Sequence, residues 1–258
     1  MISTLKKYFE ISSIKIIVLS FVGLVSFVGI WALVMVFIDK SSILSQFGPI
    51  DGASAFWDLM TTDETYIHIT ASLKRIVVGM LFAIVTGVPL GFLLGTIKLF
   101  ELTSTAVFQF LRMISPLSWT PLAIILFGVG DSPVYFLIAI GAIWPIALNT
   151  AESIGRLNRG WLLVSKTLGA SPVESFRKVV WPATRPGILL GIRLAVGLAW
   201  IILVPAEMLG VDSGLGYYIL DTRDRFEYSE LIAAIIIIGI LGLILDILTR
   251  VLLSSRQH

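Results

Sequence analysis

Apolar runs separated by short polar clusters dominate this chain. A helix crosses a bilayer with about 20 mostly apolar residues, and six runs have that character: 14–38, 77–97, 105–129, 134–150, 187–207 and 231–252. Six crossings place both chain ends on one side of the membrane. Between the first two runs, Ser54 to Met60 has two readings: a short interfacial helix with Phe56, Trp57 and Met60 toward lipid, or a loose loop holding a tryptophan at headgroup level. In the second run Gly79, Gly87, Gly91 and Gly95 recur at intervals of four and eight, a face that lets another helix approach closely. In the third, Pro116 and Pro121 sit around Ser115, Ser118, Trp119 and Thr120, so a break is expected there. Backbone groups freed by a break are tolerated only when buried in protein or lining a wet cavity. No internal repeat or linker interrupts the pattern, which predicts a single all-α transmembrane domain over 1–258.

The longest polar-flecked stretch lies between the fourth and fifth runs, from Gly160 to Gly187. Trp161, Leu162, Leu163 and Leu168 predict a short helix that stops at Gly169, the residue that most cheaply turns left-handed after a helix end. Ala170 follows. Ser171, Pro172 and Glu174 then occupy the cap, first and third helical positions, a capping box that starts a second helix. That helix runs through Phe176, Arg177, Lys178 and Val179, and a break is expected before Pro182. Two stiff helices hinged at a glycine form an elbow that presents a rigid knob outside the bilayer.

This elbow resembles the EAA loop of ABC importer permeases, whose pattern is Glu-Ala-Ala, three residues, Gly, nine residues, Ile, one residue, Leu-Pro. Aligned on Gly169, the chain has Leu163-Val164-Ser165 for the triplet, Val179 for Ile, Trp181 for Leu, and Pro182. The glycine-to-proline spacing fits, and of the triplet only the small Ser165 is kept. Other stretches agree in order: Ser72-Leu73-Lys74-Arg75, Gly87-Val88-Pro89-Leu90-Gly91, Leu111-Arg112 before Pro116 and Pro121, Ala206-Glu207-Met208, and Gly214-Leu215-Gly216-Tyr217. From about Thr65 to Asp246 the chain resembles the nitrate, sulfonate, taurine and bicarbonate branch of these permeases.

The resemblance implies a six-helix permease whose coupling loop contacts an ATPase through Ser165, Gly169, Ala170, Ser171, Pro172, Glu174, Arg177 and Pro182. It implies a pair of permeases, expected to be a homodimer, with two ATP-hydrolysing subunits that hold the ATP and Mg. No cofactor is expected in this chain. An extracytoplasmic substrate-binding protein and the inner membrane of a prokaryote complete the implied setting.

Composition sharpens the class. Hydrophobic residues make up 57% and charged ones 14%, and the mean hydropathy is +0.95, far from a soluble domain with about a quarter of its residues charged. A net charge of only +2 argues against a nucleic-acid partner. The absence of cysteine excludes disulfides and thiolate chemistry. Location of charge decides orientation: Lys6, Lys7, Lys98, Arg156, Lys166, Arg177, Lys178, Arg185 and Arg250 cluster at one set of ends, which is therefore cytoplasmic together with the elbow and both termini. The other ends are acidic, with Asp58, Asp63, Glu64, Asp131, Asp212 and Asp221 outnumbering Lys74, Arg75, Arg223 and Arg225.

Enzyme chemistry finds little footing. There is no Gly-Lys dipeptide and so no Walker A loop. The two histidines, His68 and His258, fall outside the predicted spans and cannot form a zinc-protease motif. Ionisable and polar groups within spans are the functional candidates, because hydrocarbon penalises them. Arg112 has three readings: a charge beside an anion pathway, a structural group bonded to carbonyls freed near Pro116, or a side chain snorkelling to the surface. Ser115, Ser118 and Trp119 join it as pathway candidates, as do Asn149 and Glu207, whose other reading is interhelical hydrogen bonding. Arg193 reads as snorkelling, and Asp246 as a partner for Arg250 one turn on. Gly210 to Glu230 reads as a solvated outer loop or, by the resemblance, as part of a docking surface and outer gate. An ATP-independent carrier or channel is the alternative, and it predicts charge pairs at mid-membrane and inverted repeats.

Overall fold

A computed structural model describes residues 13–39 and 43–253. Lys6, Lys7, Lys40, Arg256 and His258 lie outside the described residues. The helices are α1 (Ser13–Val36), α2 (Pro49–Met60), α3 (Asp63–Thr96), α4 (Lys98–Met113), α5 (Thr120–Phe127), α6 (Asp131–Gly155), α7 (Arg159–Thr167), α8 (Pro172–Ser175), α9 (Trp181–Glu207), α10 (Leu215–Asp224) and α11 (Tyr228–Leu253). Five stretches are long and apolar enough to cross a membrane: α1, α3, α6, the continuous helix from α8 through α9, and α11. A sixth crossing exists if α4 and the segment Pro116–Phe127 are counted together, and these two meet at an angle of 90°.

The core is a three-helix stack in which α6 lies between α3 and α9. The glycine stripe makes the close approach possible. A Cβ on Gly91 would stand 2.5 Å from both the Ala147 carbonyl oxygen and Thr150 Cβ, so only glycine lets α3 and α6 touch there. Ile76, Met80 and Ala83 of α3 bury against Leu137, Ile138 and Ile146 of α6, and Ala195, Ala199 and Leu203 of α9 close the other side. A second cluster joins α2, α10 and α11 around Leu59, Leu215, Tyr218 and Ile237, and Trp200 of α9 packs against both clusters.

Four expectations change. The second span begins well before residue 77: α3 has 34 residues, about 51 Å at 1.5 Å per residue, against about 30 Å of hydrocarbon. Its polar first turns therefore extend beyond the hydrocarbon, and on one face of them Thr65, His68, Ser72 and Arg75 are buried. The segment around Trp57 is helical, but Phe56 and Met60 pack on the second cluster while Trp57 stays exposed. The outer segment contains a packed helix, α10, with Leu215, Gly216, Tyr218 and Thr222 buried. Tyr218 donates to Glu230 at 2.7 Å, and burial, reinforced by that carboxylate, holds its phenol above its ordinary pKa.

The fourth change concerns Pro182, which does not end a helix. Its ring would collide with the carbonyl four residues back and it has no N–H to donate. The chain widens into a π turn over Phe176–Val180, with Trp181 N bonded to the Phe176 carbonyl, and continues straight into α9. A π turn of this kind absorbs a local clash without breaking the helix.

Candidate functional site

The elbow is assembled by caps at each joint. Asn158 caps α7, its side chain accepting from Gly160 N at 2.8 Å. At the far end Gly169 adopts φ +75°. Its N–H reaches the Lys166 carbonyl at 3.0 Å and Ala170 N–H reaches the Ser165 carbonyl at 3.1 Å, the paired bonds of a Schellman turn. The capping box closes as expected, with Ser171 N donating to Glu174 Oε2 at 3.0 Å and Glu174 N donating to Ser171 Oγ at 3.3 Å. Ser165 is buried, and its hydroxyl bonds Ser175 Oγ at 2.5 Å across the hinge. That bond explains the value of a small residue at position 165. Phe176, Phe92 of α3 and Trp181 form a triangle of rings, with Phe176 centred 5.4 Å from Phe92 and 6.4 Å from Trp181, and Phe92 6.4 Å from Trp181. The knob is thus tied to the core, while Leu163, Leu168 and Val173 remain exposed on it. Pro182 sits within the first turn of α9, and Arg177 lies in the π turn.

The pathway candidates do not converge on one point. Arg112, in the last turn of α4, lines a cleft of about 440 Å³ between α4, the end of α3 and α6. Glu101, Thr105 and Gln109 extend its polar face along one side of α4, whereas Leu99, Leu102, Phe110 and Met113 are exposed. Trp144 and Phe108 form the apolar wall, their rings 5.6 Å apart. Arg112 makes no hydrogen bond or ion pair among the described residues, so the structural reading through carbonyls near Pro116 is not what the geometry gives. Ser115 and Ser118 stand at the 90° bend, where Ser118 N bonds the Ser115 carbonyl at 2.9 Å, and Trp119 packs on the main core. Asn149 faces a different cleft, of about 820 Å³, and donates to the Pro145 carbonyl at 2.8 Å. Arg193 approaches Asp246 at 4.0 Å, and Asp246 pairs with Arg250 at 2.9 Å.

Glu207 lies at the opposite end of α9 from the elbow, in a buried polar knot that the sequence reading did not assemble. Arg75 Nη1 meets Glu207 Oε1 at 2.8 Å and the Ser213 carbonyl at 2.6 Å, and Arg75 Nε donates to Asp131 Oδ1 at 2.8 Å. Ser72 Oγ donates to Glu207, Gly216 N donates to Glu207 Oε2 at 2.9 Å, and Gly214 N donates to His68 Nδ1 at 3.0 Å. One knot therefore holds α3, α6, α9 and the start of α10. The signal was present: His68, Ser72 and Arg75 continue the Gly79–Gly87–Gly91 face toward the start of α3, so a charge on that face points into protein.

These features define a multi-pass membrane protein with an elbowed helix pair leading into α9. The fold matches the inward-facing MetNI methionine ABC transporter with a TM-score of 0.62 at 20% identity, over 73% of this chain and 94% of that one. Residues 87–257 match the family described as binding-protein-dependent transport system inner membrane component, and the chain belongs to that family. Among named relatives, it is 36% identical to the nitrate import permease protein NrtB of Leptolyngbya laminosa, covering 80% of this chain and 77% of that one. It is 38% identical to the bicarbonate transport system permease protein CmpB of a Synechocystis species, over 68% and 63%. Identity to the putative aliphatic sulfonates transport permease protein SsuC of Bacillus subtilis is 35%, over 79% and 74%.

Proposed function

We propose that this chain forms the membrane pathway of an ATP-driven importer for a small oxyanion, of the class of nitrate, bicarbonate or an alkyl sulfonate. The observation that carries the reading is the doubly capped elbow, whose hinge bond at Ser165 and aromatic anchor at Phe92 make it rigid against the core. A rigid lever whose outer tip is apolar suits a groove on a separate ATPase, and Leu163, Leu168 and Val173 supply that tip. In this reading two ATPase subunits carry the ATP and Mg, two copies of this chain pair, and an extracytoplasmic binding protein delivers substrate. The elbow side, with both termini, is cytoplasmic. ATP-driven closure of the ATPases moves the elbows, and α9 carries the movement without interruption because the π turn replaces a break.

The oxyanion class is supported by the named relatives and by Arg112, whose guanidinium has no ion-pair partner among the described residues and stands in a cleft that also offers Gln109 and Thr105. A guanidinium presents several N–H groups in a plane suited to an oxyanion. The test is purification of the tagged chain from its native membrane in mild detergent, followed by mass spectrometry of what accompanies it. A stoichiometric ATPase with a Walker A loop supports the reading. A chain that emerges alone after gentle extraction and crosslinking overturns it in favour of an ATP-independent carrier.

A further inference from the structure

Helix α6 separates two clefts near the elbow, and they meet at one ion pair. The Arg112 cleft lies on one side. On the other, between the last turns of α6 and the first turns of α9, lies the larger cleft of about 820 Å³. The residues lining both are Glu152 and Arg156, which bond each other across one turn of α6 at 2.5 Å.

The larger cleft is strongly one-sided in charge. Its wall carries Arg156, Arg185 and Arg193 against the single carboxylate of Glu152. Arg185 has no ion-pair partner among the described residues. Arg193 has only Asp246 at 4.0 Å, and Arg250 holds that carboxylate more closely at 2.9 Å. Arg185 and Arg193 are about two turns apart on α9, about 12 Å at helical rise, and both line this cleft. Asn149 and Ser153 add neutral polar groups, and Trp161 and Trp181 form an aromatic rim.

Guanidinium groups gathered in a cleft without matching carboxylates select a ligand with several negatively charged acceptor oxygens. We infer that this cleft is an oxyanion site on the elbow side of the membrane, separate from the Arg112 cleft and joined to it through Arg156. The inference rests on the oxyanion reading above. When the cleft is empty Glu152 neutralises Arg156; an arriving oxyanion competes with Glu152 and takes Arg156 as a third ligand beside Arg185 and Arg193. The site thus receives an anion moving past α6 and gives it a stopping place before release. The same chemistry fits the phosphate of an anionic lipid headgroup, since basic clefts between helices at the cytoplasmic face hold such groups.

The experiment uses the full chain with the subunits that co-purify with it, in phosphatidylcholine nanodiscs without ATP. Nitrate and ethanesulfonate are titrated by calorimetry, and native mass spectrometry reads phosphatidylglycerol retained from the membrane. Arg185→Gln with Arg193→Gln is expected to weaken oxyanion binding at least about tenfold, two charge-assisted contacts being lost. Glu152→Gln is expected to tighten it several-fold by freeing Arg156, and Arg185→Lys with Arg193→Lys should restore part of the affinity, which separates charge loss from misfolding. Unchanged affinity for both anions, with unchanged lipid retention, in the Gln pair overturns the site. Loss of retained phosphatidylglycerol with nitrate and ethanesulfonate binding unaltered supports the site and assigns it to lipid. Uptake into proteoliposomes separates the two readings: wild-type import of neither anion sinks the import reading, whereas normal import with both anion binding and lipid retention unaltered in the Gln pair sinks only the site.

Discussion

Arg75 on α3 and Glu207 at the end of α9 meet at 2.8 Å with side chains 2% and 0% exposed. Ion pairs this deep are not simply stabilising, because both charges lose their water. Here each charge is further satisfied, Arg75 by Asp131 and the Ser213 carbonyl, Glu207 by Ser72 and Gly216 N. The knot therefore fixes where the far end of α9 stands relative to α3 and where α10 begins. In the proposed importer, a lever pushed at the elbow needs such a fixed far end.

Removing one partner should be far worse than removing both. Arg75→Met leaves Glu207 fully buried with no cation beside it among the described residues, a loss of about 3–5 kcal/mol for an uncompensated buried charge. Arg75→Met with Glu207→Leu should recover a substantial part of that loss. Thermal unfolding midpoints in detergent, arranged as a double-mutant cycle, measure the coupling. Simple additivity of the two single losses would mean that the pair does not act as a unit.

The contact between α3 and α6 should tolerate no side chain at Gly91. The space there is closed by backbone on one side and Thr150 on the other, so Gly91→Val must push the helices apart. Expected is loss of monodisperse protein on size exclusion. Gly197→Ala on α9 meets nothing within 4 Å and should behave as wild type.

At Gly169 the constraint is in the backbone alone. Nothing lies within 4 Å of a Cβ there, yet φ is +75°, a conformation costing a side-chain-bearing residue about 1–2 kcal/mol. Gly169→Val should leave the membrane domain folded, with an unaltered elution profile, while loosening the Schellman turn at the hinge. Uptake should fall sharply relative to ATP hydrolysis in proteoliposomes. Gly169→Asn, which tolerates the left-handed region, should retain most coupling. Equal coupling in the Val variant would separate the hinge from the power stroke.

Much of this architecture was legible in the chain, and the exceptions have physical causes. Runs of apolar residues located the crossings because hydrocarbon admits little else, and Ser171 with Glu174 marked a helix start because the capping bonds are local. Pro182 misled, since a local rule about a clashing ring does not reveal that one extra residue per turn can absorb the clash. Arg75 was counted only among the charges at the outer ends because hydropathy averaged along the sequence carries no information about helix face. Its place on the same stripe as Gly79 and Gly87 was the usable clue. The acidic, glycine-rich stretch from Gly210 to Glu230 reads in sequence as a solvated loop or a docking surface, yet Gly216 and Tyr218 bury against α9 and α11, contacts that arise only once those distant helices are side by side.

Arg112 offers the sharpest test of the pathway, because its surroundings separate chemistry from support. It makes no bond that holds the fold together among the described residues, and its helix α4 buries no residue at all, so Arg112→Ala should leave unfolding temperature and assembly unchanged. If the guanidinium attracts an oxyanion into the cleft, uptake of that anion should fall at least about tenfold in Arg112→Ala, the worth of one charge-assisted contact. Arg112→Lys keeps the charge but loses the planar fork, and intermediate uptake is expected. The decisive comparison is the concentration dependence of transport at saturating binding protein. A pathway group lowers the maximal rate in Arg112→Ala while the demand for binding protein stays as in wild type. Wild-type uptake in Arg112→Ala would remove Arg112 from the pathway and leave the cleft as packing space between α4 and α6.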